Sequence, residues 1–342
     1  MLAAVAEEPG RLVVREVPEP VMGPYDCLCQ GLYGATCSGT DLHLLYNHPL
    51  FGVKYPTILG HESIGRVIAC GPKVRNFRVG DLVTRLVNRE TADLRVHWGG
   101  YAERGLVQDW RAMQEDGVPP EFTPGIHWAL PPDFDPAAST MIITWRETLS
   151  FLSRIGVEAG SKVLVIGTGG NGLAFANHAR NLGAACVCVV GSARRREAAT
   201  AVGATHFLDY RTEDLATAAR SQDLADFDLI IDAVGKVGQL DRCLPLLRPR
   251  GTATIYGVDD FGKVTINPTR VNGGFTFANY HYAEGEAHEA VVGFIERGLL
   301  QARHYLDLDH VYPLTETAAA LDAVQRREVI KAVVRLSERA AS

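Results

Sequence analysis

Residues Lys162–Gly172 read Lys-Val-Leu-Val-Ile-Gly-Thr-Gly-Gly-Asn-Gly, and this stretch decides the fold. An apolar run, Val163–Ile166, meets glycines at Gly167, Gly169 and Gly172, and a helical pattern follows over Leu173–Leu182. Gly-x-Gly-x-x-Gly between a strand and a helix suits a dinucleotide. The first glycine permits a tight turn, the second lets a pyrophosphate approach the backbone, and the third lets the helix pack on the strand. The turn residues Thr168, Gly170 and Asn171 complete the cradle, where free N–H groups and the positive end of the helix dipole attract phosphate. A flexible glycine turn is the alternative reading. The order strand, glycines, helix, then a second strand at Ala185–Val190 weighs against it.

Outward from this stretch the pattern alternates. Strands are predicted at Lys162–Ile166, Ala185–Val190, His206–Leu208, Asp228–Asp232, Gly251–Tyr256 and Phe275–Ala278. Helices are predicted at Asn171–Leu182, Arg195–Ala201, Thr212–Arg220 and Gly238–Leu247. Such alternation implies a doubly wound parallel sheet with its ligand at the strand C-termini. The second strand ends Val189-Val190-Gly191-Ser192-Ala193-Arg194-Arg195-Arg196. An NAD site wants an acid there for the ribose hydroxyls, and none is present. Gly191 leaves room, Ser192 can donate, and Arg194 or Arg195 can grip a phosphate dianion. A basic turn on a solvated helix face is the bland alternative, yet cations at a helix N-terminus oppose its dipole. The expected cofactor is NADP(H).

The chain has 342 residues, enough for two domains. A net charge of −6 argues against nucleic acid or an anionic membrane as partner. No apolar run reaches the roughly 18–20 residues that span a bilayer, and Met1–Gly10 carries acids where a signal peptide is basic. The seven cysteines are odd in number and form no Cys-x-x-Cys. Reduced, mostly buried thiols in a cytoplasmic protein are expected.

Before the glycine stretch, residues 1–35 read as β structure, with a short strand at Cys27–Leu32. Ala35–His43 opens a helix that Thr40 or Asp41 can cap. Gly60-His61-Glu62-Ser63-Ile64-Gly65-Arg66-Val67-Ile68-Ala69-Cys70-Gly71 follows, then Val79-Gly80-Asp81-Leu82-Val83. A His-Glu pair is usually an ordinary polar strand start. With a nearby Cys it is also a credible zinc set.

Gly-His-Glu-x-x-Gly-x-Val-x-x-x-Gly, then Val-Gly-Asp-x-Val, then the glycine fingerprint about a hundred residues on, resembles the medium-chain dehydrogenase/reductase superfamily, zinc alcohol dehydrogenase branch. Gly99-Gly100-Tyr101-Ala102-Glu103 resembles another of its strand turns. Leu86–Arg89 and Ile330–Leu336 resemble the glucose and polyol dehydrogenases within it. The resemblance implies an α/β chain: a GroES-like β-rich catalytic domain at 1–145, a Rossmann nucleotide domain at 146–284, and a return to the catalytic domain over 285–342. It implies hydride transfer between a secondary alcohol, sugar-, polyol- or cyclitol-like, and its ketone. It also implies a small-molecule substrate and a homodimer or homotetramer. Zinc would be held by Cys37, His61 and Glu62, with Thr40 and His43 moving the substrate proton. Val234, Gly257, Ala278 and Asn279 would contact the cofactor, and Asn88 and Asn279 are candidate polar contacts for the substrate.

The chain departs from the family at three places. Cys37-Ser38-Gly39-Thr40-Asp41 is one residue longer than the usual Cys-Gly-Thr/Ser-Asp, so alignment from the helix side puts Ser38, a poor zinc ligand, at the ligand position. Ile143 stands where a further ligand is expected, with Glu147 one helical turn on. No cysteines lie between Arg89 and Tyr101, so no structural zinc is expected. Two other readings stay open: a zinc-free reductase of an activated C=C or C=N bond, and a non-catalytic NADP sensor. Asp109–Gly125 reads as a longer surface loop.

Overall fold

The computed structural model describes residues 1–211 and 214–338. The chain divides into two compact units: Met1–Ile143 with Tyr305–Ser342, and Thr144–His304. Residues 285–304, with the helix His288–Glu296, lie in the second unit, and the helix Thr317–Gln325 lies in the first. Of the segment 285–342, positions 339–342 lie outside the described residues.

The second unit is built on a six-stranded parallel sheet. Its spatial order is His206–Asp209, Cys186–Gly191, Lys162–Ile166, Phe227–Asp232, Leu247–Ile255 and Thr276–Ala278. In sequence numbers this is the 3-2-1-4-5-6 order of a doubly wound fold. Helices cover both faces of such a sheet, so the central strand must be apolar throughout. Val163–Ile166 are all buried, as that requires. The helix read over 238–247 stops at Cys243, and a 3-10 turn, Leu244–Leu246, replaces its end. Pro245 has no N–H to continue the ladder. The helix read from Thr212 is described as Leu215–Arg220, with the Asp214 carboxylate capping the N–H groups of Ala216 and Thr217. Thr212 and Glu213 lie outside the described residues.

The first unit is the β-rich, GroES-like one. Its spine is the strand Asp26–Ala35, longer at both ends than the sequence suggested. That strand pairs antiparallel with Glu62–Cys70 along its length. On its other edge it meets Arg104–Gln108 near its start and Lys331–Arg335 near its end. Two expectations are corrected here. Asp109–Gly125 is not all loop, because Asp109 caps a helix, Trp110–Glu115, by accepting from the Ala112 N–H. Neither Thr40 nor Asp41 caps the helix Asp41–Leu45 through its side chain. Asp41 is drawn instead into the cluster described next.

Candidate functional site

Strand register assembles the first unit's polar cluster. Ala35 lies opposite Glu62, and Val333 opposite Ala35. Two residues past Ala35 is Cys37, one before Glu62 is His61, and the same antiparallel count sets Lys331 opposite Cys37. Three strand ends therefore deliver their polar residues to one place. A Cys37 sulfur, a His61 ring nitrogen and a Glu62 carboxylate oxygen lie within 4.8 Å of one another, all buried. Ser38 is exposed. The extra residue is thus absorbed between Cys37 and the helix, and the thiol faces the His-Glu pair.

Each member is held by a second residue. His61 Nδ1 faces Asp41 Oδ1 at 3.4 Å, and His61 Nε2 faces Glu62 Oε1 at 3.6 Å. Asp41 Oδ2 accepts from the Cys37 backbone N–H at 2.9 Å and lies 2.7 Å from the Tyr101 hydroxyl. Lys331 Nζ donates to both Glu62 oxygens, at 2.6 and 2.5 Å, and to the Thr36 carbonyl at 3.2 Å.

The electrostatics show what the cluster favours. Burial opposes a charge on His61, yet Asp41, Cys37 and Glu62 together hold its pKa well above the imidazole range. Burial would raise the Glu62 carboxyl, but Lys331 and His61 hold it down near 2. Burial likewise works against charge on Lys331, and Glu62 holds its pKa up. The pocket favours positive charge. Sulfur, imidazole nitrogen and carboxylate oxygen are a zinc donor set, and three protein ligands leave the fourth position for a substrate. Asp41 Oδ1 stands 3.4 Å from His61 Nδ1, an ion-pair contact without hydrogen-bond geometry, on the side of the ring away from Glu62, the position a carboxylate commonly takes behind a metal-bound histidine. The residues present fit a zinc ion.

Around this cluster lie the other predicted residues of the unit. Thr40 Oγ1 accepts from the Cys37 thiol at 3.7 Å. His43 Nδ1 sits 2.6 Å from the Gly39 carbonyl, so Nδ1 carries the proton and Nε2 is the basic atom. The His43 ring lies 4.3 Å from that of His48. Trp98 packs 5.2 Å from the His61 ring and 4.5 Å from that of His97. Its φ of +66° is rare for so bulky a residue. The Asn88 expectation is corrected. Its side-chain amide donates to the Gly99 and Arg104 carbonyls, its backbone N–H donates to the Trp98 carbonyl, and it is buried. Asn88 pins the Trp98 loop rather than facing a substrate.

The second unit carries the glycine turn. Gly167 has φ +117°, which L side chains seldom adopt. A Cβ on Gly172 would run into the Gly167 carbonyl, whereas one on Gly169 would meet nothing. The third glycine therefore closes helix onto turn, and the second borders open space. The helix Gly170–Asn181 begins with no side-chain cap, which leaves first-turn N–H groups to a ligand. The reading of Gly191 is corrected: a Cβ there would clash with Thr168, so its small size makes room for that side chain. Ser192 Oγ is buried with no hydrogen-bond partner. Such orphans are rare in folded proteins, and this one stands at the strand end where the ribose phosphate is expected. Arg194 is exposed and Arg195 half-buried in a 3-10 turn, Ala193–Arg195. Asp232 Oδ1 accepts from the Val234 and Gly235 N–H groups, and Gly257 packs directly on the Val234 backbone. Ala278 is buried and Asn279 exposed. Glu147 is buried on the helix Met141–Arg154.

Lys331, Asp41 and Tyr101 were not read from the sequence as parts of this cluster. A signal for Lys331 exists: it begins the run Lys-Ala-Val-Val, and a lysine leading a buried strand demands a partner.

Comparison with known proteins agrees with this architecture. The family model described as "Alcohol dehydrogenase GroES-like domain" matches residues 28–120, and that described as "Zinc-binding dehydrogenase" matches 170–295. Together they span more than half of the chain. Alcohol dehydrogenase 1 of Emericella nidulans is 28% identical, covering 92% of this chain and 94% of its own. D-arabinitol dehydrogenase 1 of Uromyces fabae is 25% identical, covering 98% and 97%. The NADP-dependent isopropanol dehydrogenase of Clostridium beijerinckii is 26% identical, covering 93% and 95%. Among solved structures, the alcohol dehydrogenase TADH of Thermus sp. ATN1 superposes with a TM-score of 0.81 over 98% of this chain and 99% of its own, at 23% identity; that likeness concerns the fold. With the two domain matches in chain order and the cluster of Cys37, His61 and Glu62 in the GroES-like unit, the chain belongs to the medium-chain dehydrogenase/reductase superfamily, in its zinc-type alcohol dehydrogenase branch.

Proposed function

We propose that this oxidoreductase interconverts a secondary alcohol of sugar, polyol or cyclitol type and its ketone, using NADP(H) and one catalytic zinc. The observation that carries the reading is the buried, cation-seeking cluster of Cys37, His61 and Glu62. Those three residues would hold the zinc. When bound, the metal stabilises negative charge on the substrate oxygen and the nicotinamide exchanges hydride with the substrate carbon.

The chain's own residues do the rest. Asp41 backs the His61 ring electrostatically, and the Tyr101 hydroxyl donates to Asp41 and holds it there. Lys331 keeps the Glu62 carboxylate ionised and stationary. A carboxylate oxygen has more than one lone pair, so accepting from Lys331 leaves Glu62 able to bind a metal. Thr40 Oγ1, which accepts from the Cys37 thiol, would accept the substrate hydroxyl proton while passing its own towards the nicotinamide ribose, and His43 would receive the proton from there. In the second unit, Gly167 to Gly172 would cradle the pyrophosphate. Ser192, Arg194 and Arg195 would hold the ribose phosphate, while Val234, Gly257, Ala278 and Asn279 would border the nicotinamide half. The names of relatives acting on isopropanol, D-arabinitol and L-galactonate support a secondary alcohol with polyol character.

The test combines metal analysis with turnover. Protein purified without chelator is expected to hold about one zinc per chain, lost in Cys37→Ala and kept in Ser38→Ala. NADP-linked oxidation of a panel of polyols and cyclitols should fall at least a hundredfold in Cys37→Ala. The double variant Arg194→Ala, Arg195→Ala should weaken NADPH binding about tenfold or more and leave NADH binding little changed. Zinc-free wild-type protein with no turnover on the panel would overturn the reading; equal losses for both nucleotides would overturn the phosphate grip.

A further inference from the structure

Away from the site just described, Cys27 and Cys70 face each other on the paired strands Asp26–Ala35 and Glu62–Cys70. They are directly opposite in register, with their sulfurs 3.4 Å apart. The next pair outward, Asp26 and Gly71, carries a ladder hydrogen bond, from the Gly71 N–H to the Asp26 carbonyl at 2.8 Å. Alternation along an antiparallel ladder then makes Cys27 and Cys70 a non-hydrogen-bonded pair, where Cα atoms stand about 4.5 Å apart and side chains are closest. That separation lies inside the range a disulfide spans without backbone movement.

The surroundings suit the bond. Cys27 is buried, Cys70 half-buried, and both pack in an apolar cluster with Cys29, Val67, Val83 and Val107. A disulfide has no polar hydrogen to satisfy there, whereas the Cys27 thiol now donates to the neighbouring sulfur, a weak acceptor. Cys29, two residues on, turns its sulfur to the Cys27 carbonyl at 3.7 Å rather than to Cys70.

We infer that Cys27 and Cys70 are a site of reversible oxidation, joined by a peroxide into a cross-strand disulfide that staples the two strands delivering Cys37, His61 and Glu62. Cys70, the more accessible, reacts first. Its sulfur, having lost the thiol proton, attacks one peroxide oxygen, the O–O bond breaks, and the leaving hydroxide becomes water. Cys70 is then a sulfenic acid. The Cys27 sulfur attacks the Cys70 sulfur, the S–O bond breaks, and hydroxide leaves as water with the Cys27 proton. Two thiols give up two electrons and two protons in all; one peroxide takes them and yields two waters. The staple sits at the far end of the ladder from the site, eight residues or about 27 Å along the strand, so it clamps the ladder without occupying the cluster.

The experiment treats the full-length protein with a small excess of hydrogen peroxide, blocks remaining thiols with an alkylating agent under denaturing conditions, and maps peptides by mass spectrometry. The expected product is one peptide pair linked through Cys27 and Cys70, lighter by two hydrogens, released by dithiothreitol, and with Cys186, Cys188 and Cys243 fully alkylated. The reduced and oxidised proteins should differ in melting midpoint by several degrees, the oxidised higher. Cys70→Ser, a change at a half-buried site, should abolish both the linked pair and the shift, and Cys243→Ser should keep both. Cys27 and Cys70 recovered only as free or singly over-oxidised thiols, or Cys70 linked to another cysteine, would overturn the inference. None of these readouts depends on the zinc or the substrate assignment.

Discussion

Replacing Lys331 by Met tests the candidate site at its least replaceable point. The Lys331 ammonium and Glu62 carboxylate are both essentially sealed from water, and Nζ contacts both carboxylate oxygens. Methionine matches the length of the stem and removes the charge. Glu62 is then a buried anion that has lost its closest counter-charge and keeps His61 beside it. Breaking one side of a buried pair costs about 3–5 kcal/mol, because the surviving charge loses its counter-charge and gains no water. The double variant Lys331→Met, Glu62→Gln removes both charges and should recover most of that loss, giving an interaction energy of about 2 kcal/mol or more. The pH dependence has a definite sign. In the native protein Lys331 and His61 hold the Glu62 carboxyl near 2, below its ordinary 4.5. Its contribution is therefore fully present above 4.5 and lost as pH falls towards 2. In Lys331→Met the strongest charge opposing burial is gone while His61 remains, so the carboxyl rises from its wild-type position and Glu62 protonates at a higher pH than before. The gap between variant and wild type should be widest near neutrality and narrow below about pH 4.5. Urea unfolding of metal-free protein, followed at pH 7, 5 and 4, reads all of this. A single-variant loss below about 1 kcal/mol, or a double variant no better than the single, would refute the pairing as the source of the site's rigidity.

Two further outcomes follow from buried features elsewhere. His178 is fully buried on the helix Gly170–Asn181, and burial brings its pKa down to about 3 from 6.5. The unfolded chain binds a proton below 6.5 that the folded one refuses, so stability is full above 6.5 and declines as pH falls towards 3. At pH 5 the decline from this group is about 2 kcal/mol, and His178→Phe should flatten the urea midpoint between pH 6.5 and 5 by that amount; an unchanged slope would be the wrong result. Gly172→Ala puts a methyl group into the Gly167 carbonyl and should weaken NADPH binding, measured by nucleotide fluorescence, about tenfold or more while far-ultraviolet circular dichroism is retained. Wild-type affinity in that variant would refute the cradle.

The nucleotide unit was legible because its information is local. Val163–Ile166 and the glycines lie within eleven residues of one another, and the parallel sheet forces every central strand to be apolar on both faces. The end of the helix read over 238–247 was not legible in the same way, since Pro245 acts only on the hydrogen-bond ladder it interrupts. The GroES-like unit was legible in part. Cys37, His61 and Glu62 were nameable as chemistry, yet the choice between Cys37 and Ser38 turned on strand register, which a linear string does not display. Lys331 was further out of reach: it meets Glu62 across 269 residues of sequence. Asn88 and Gly191 misled for a common reason. A polar amide and a missing side chain each look available until the backbone they serve, the Trp98 loop in one case and Thr168 in the other, is in view.

The unequal legibility follows from what holds each site. A phosphate cradle is made of backbone N–H groups, so its specification is the absence of side chains at set positions, which sequence displays directly. The zinc-type cluster is made of charges that no apolar core tolerates singly. Asp41 and Glu62 need His61 and Lys331 nearby, and each of those is supplied by a different strand end. A fold gains little net stability from such a cluster over well-packed apolar residues. Its burial in the GroES-like unit, with Glu62 braced by Lys331 and Asp41 by Tyr101, therefore argues for chemistry rather than architecture. If the cluster were merely structural, substituting Lys331 and Glu62 together by Met and Leu would leave both stability and metal content unchanged. On the present reading that exchange keeps the fold and loses the zinc.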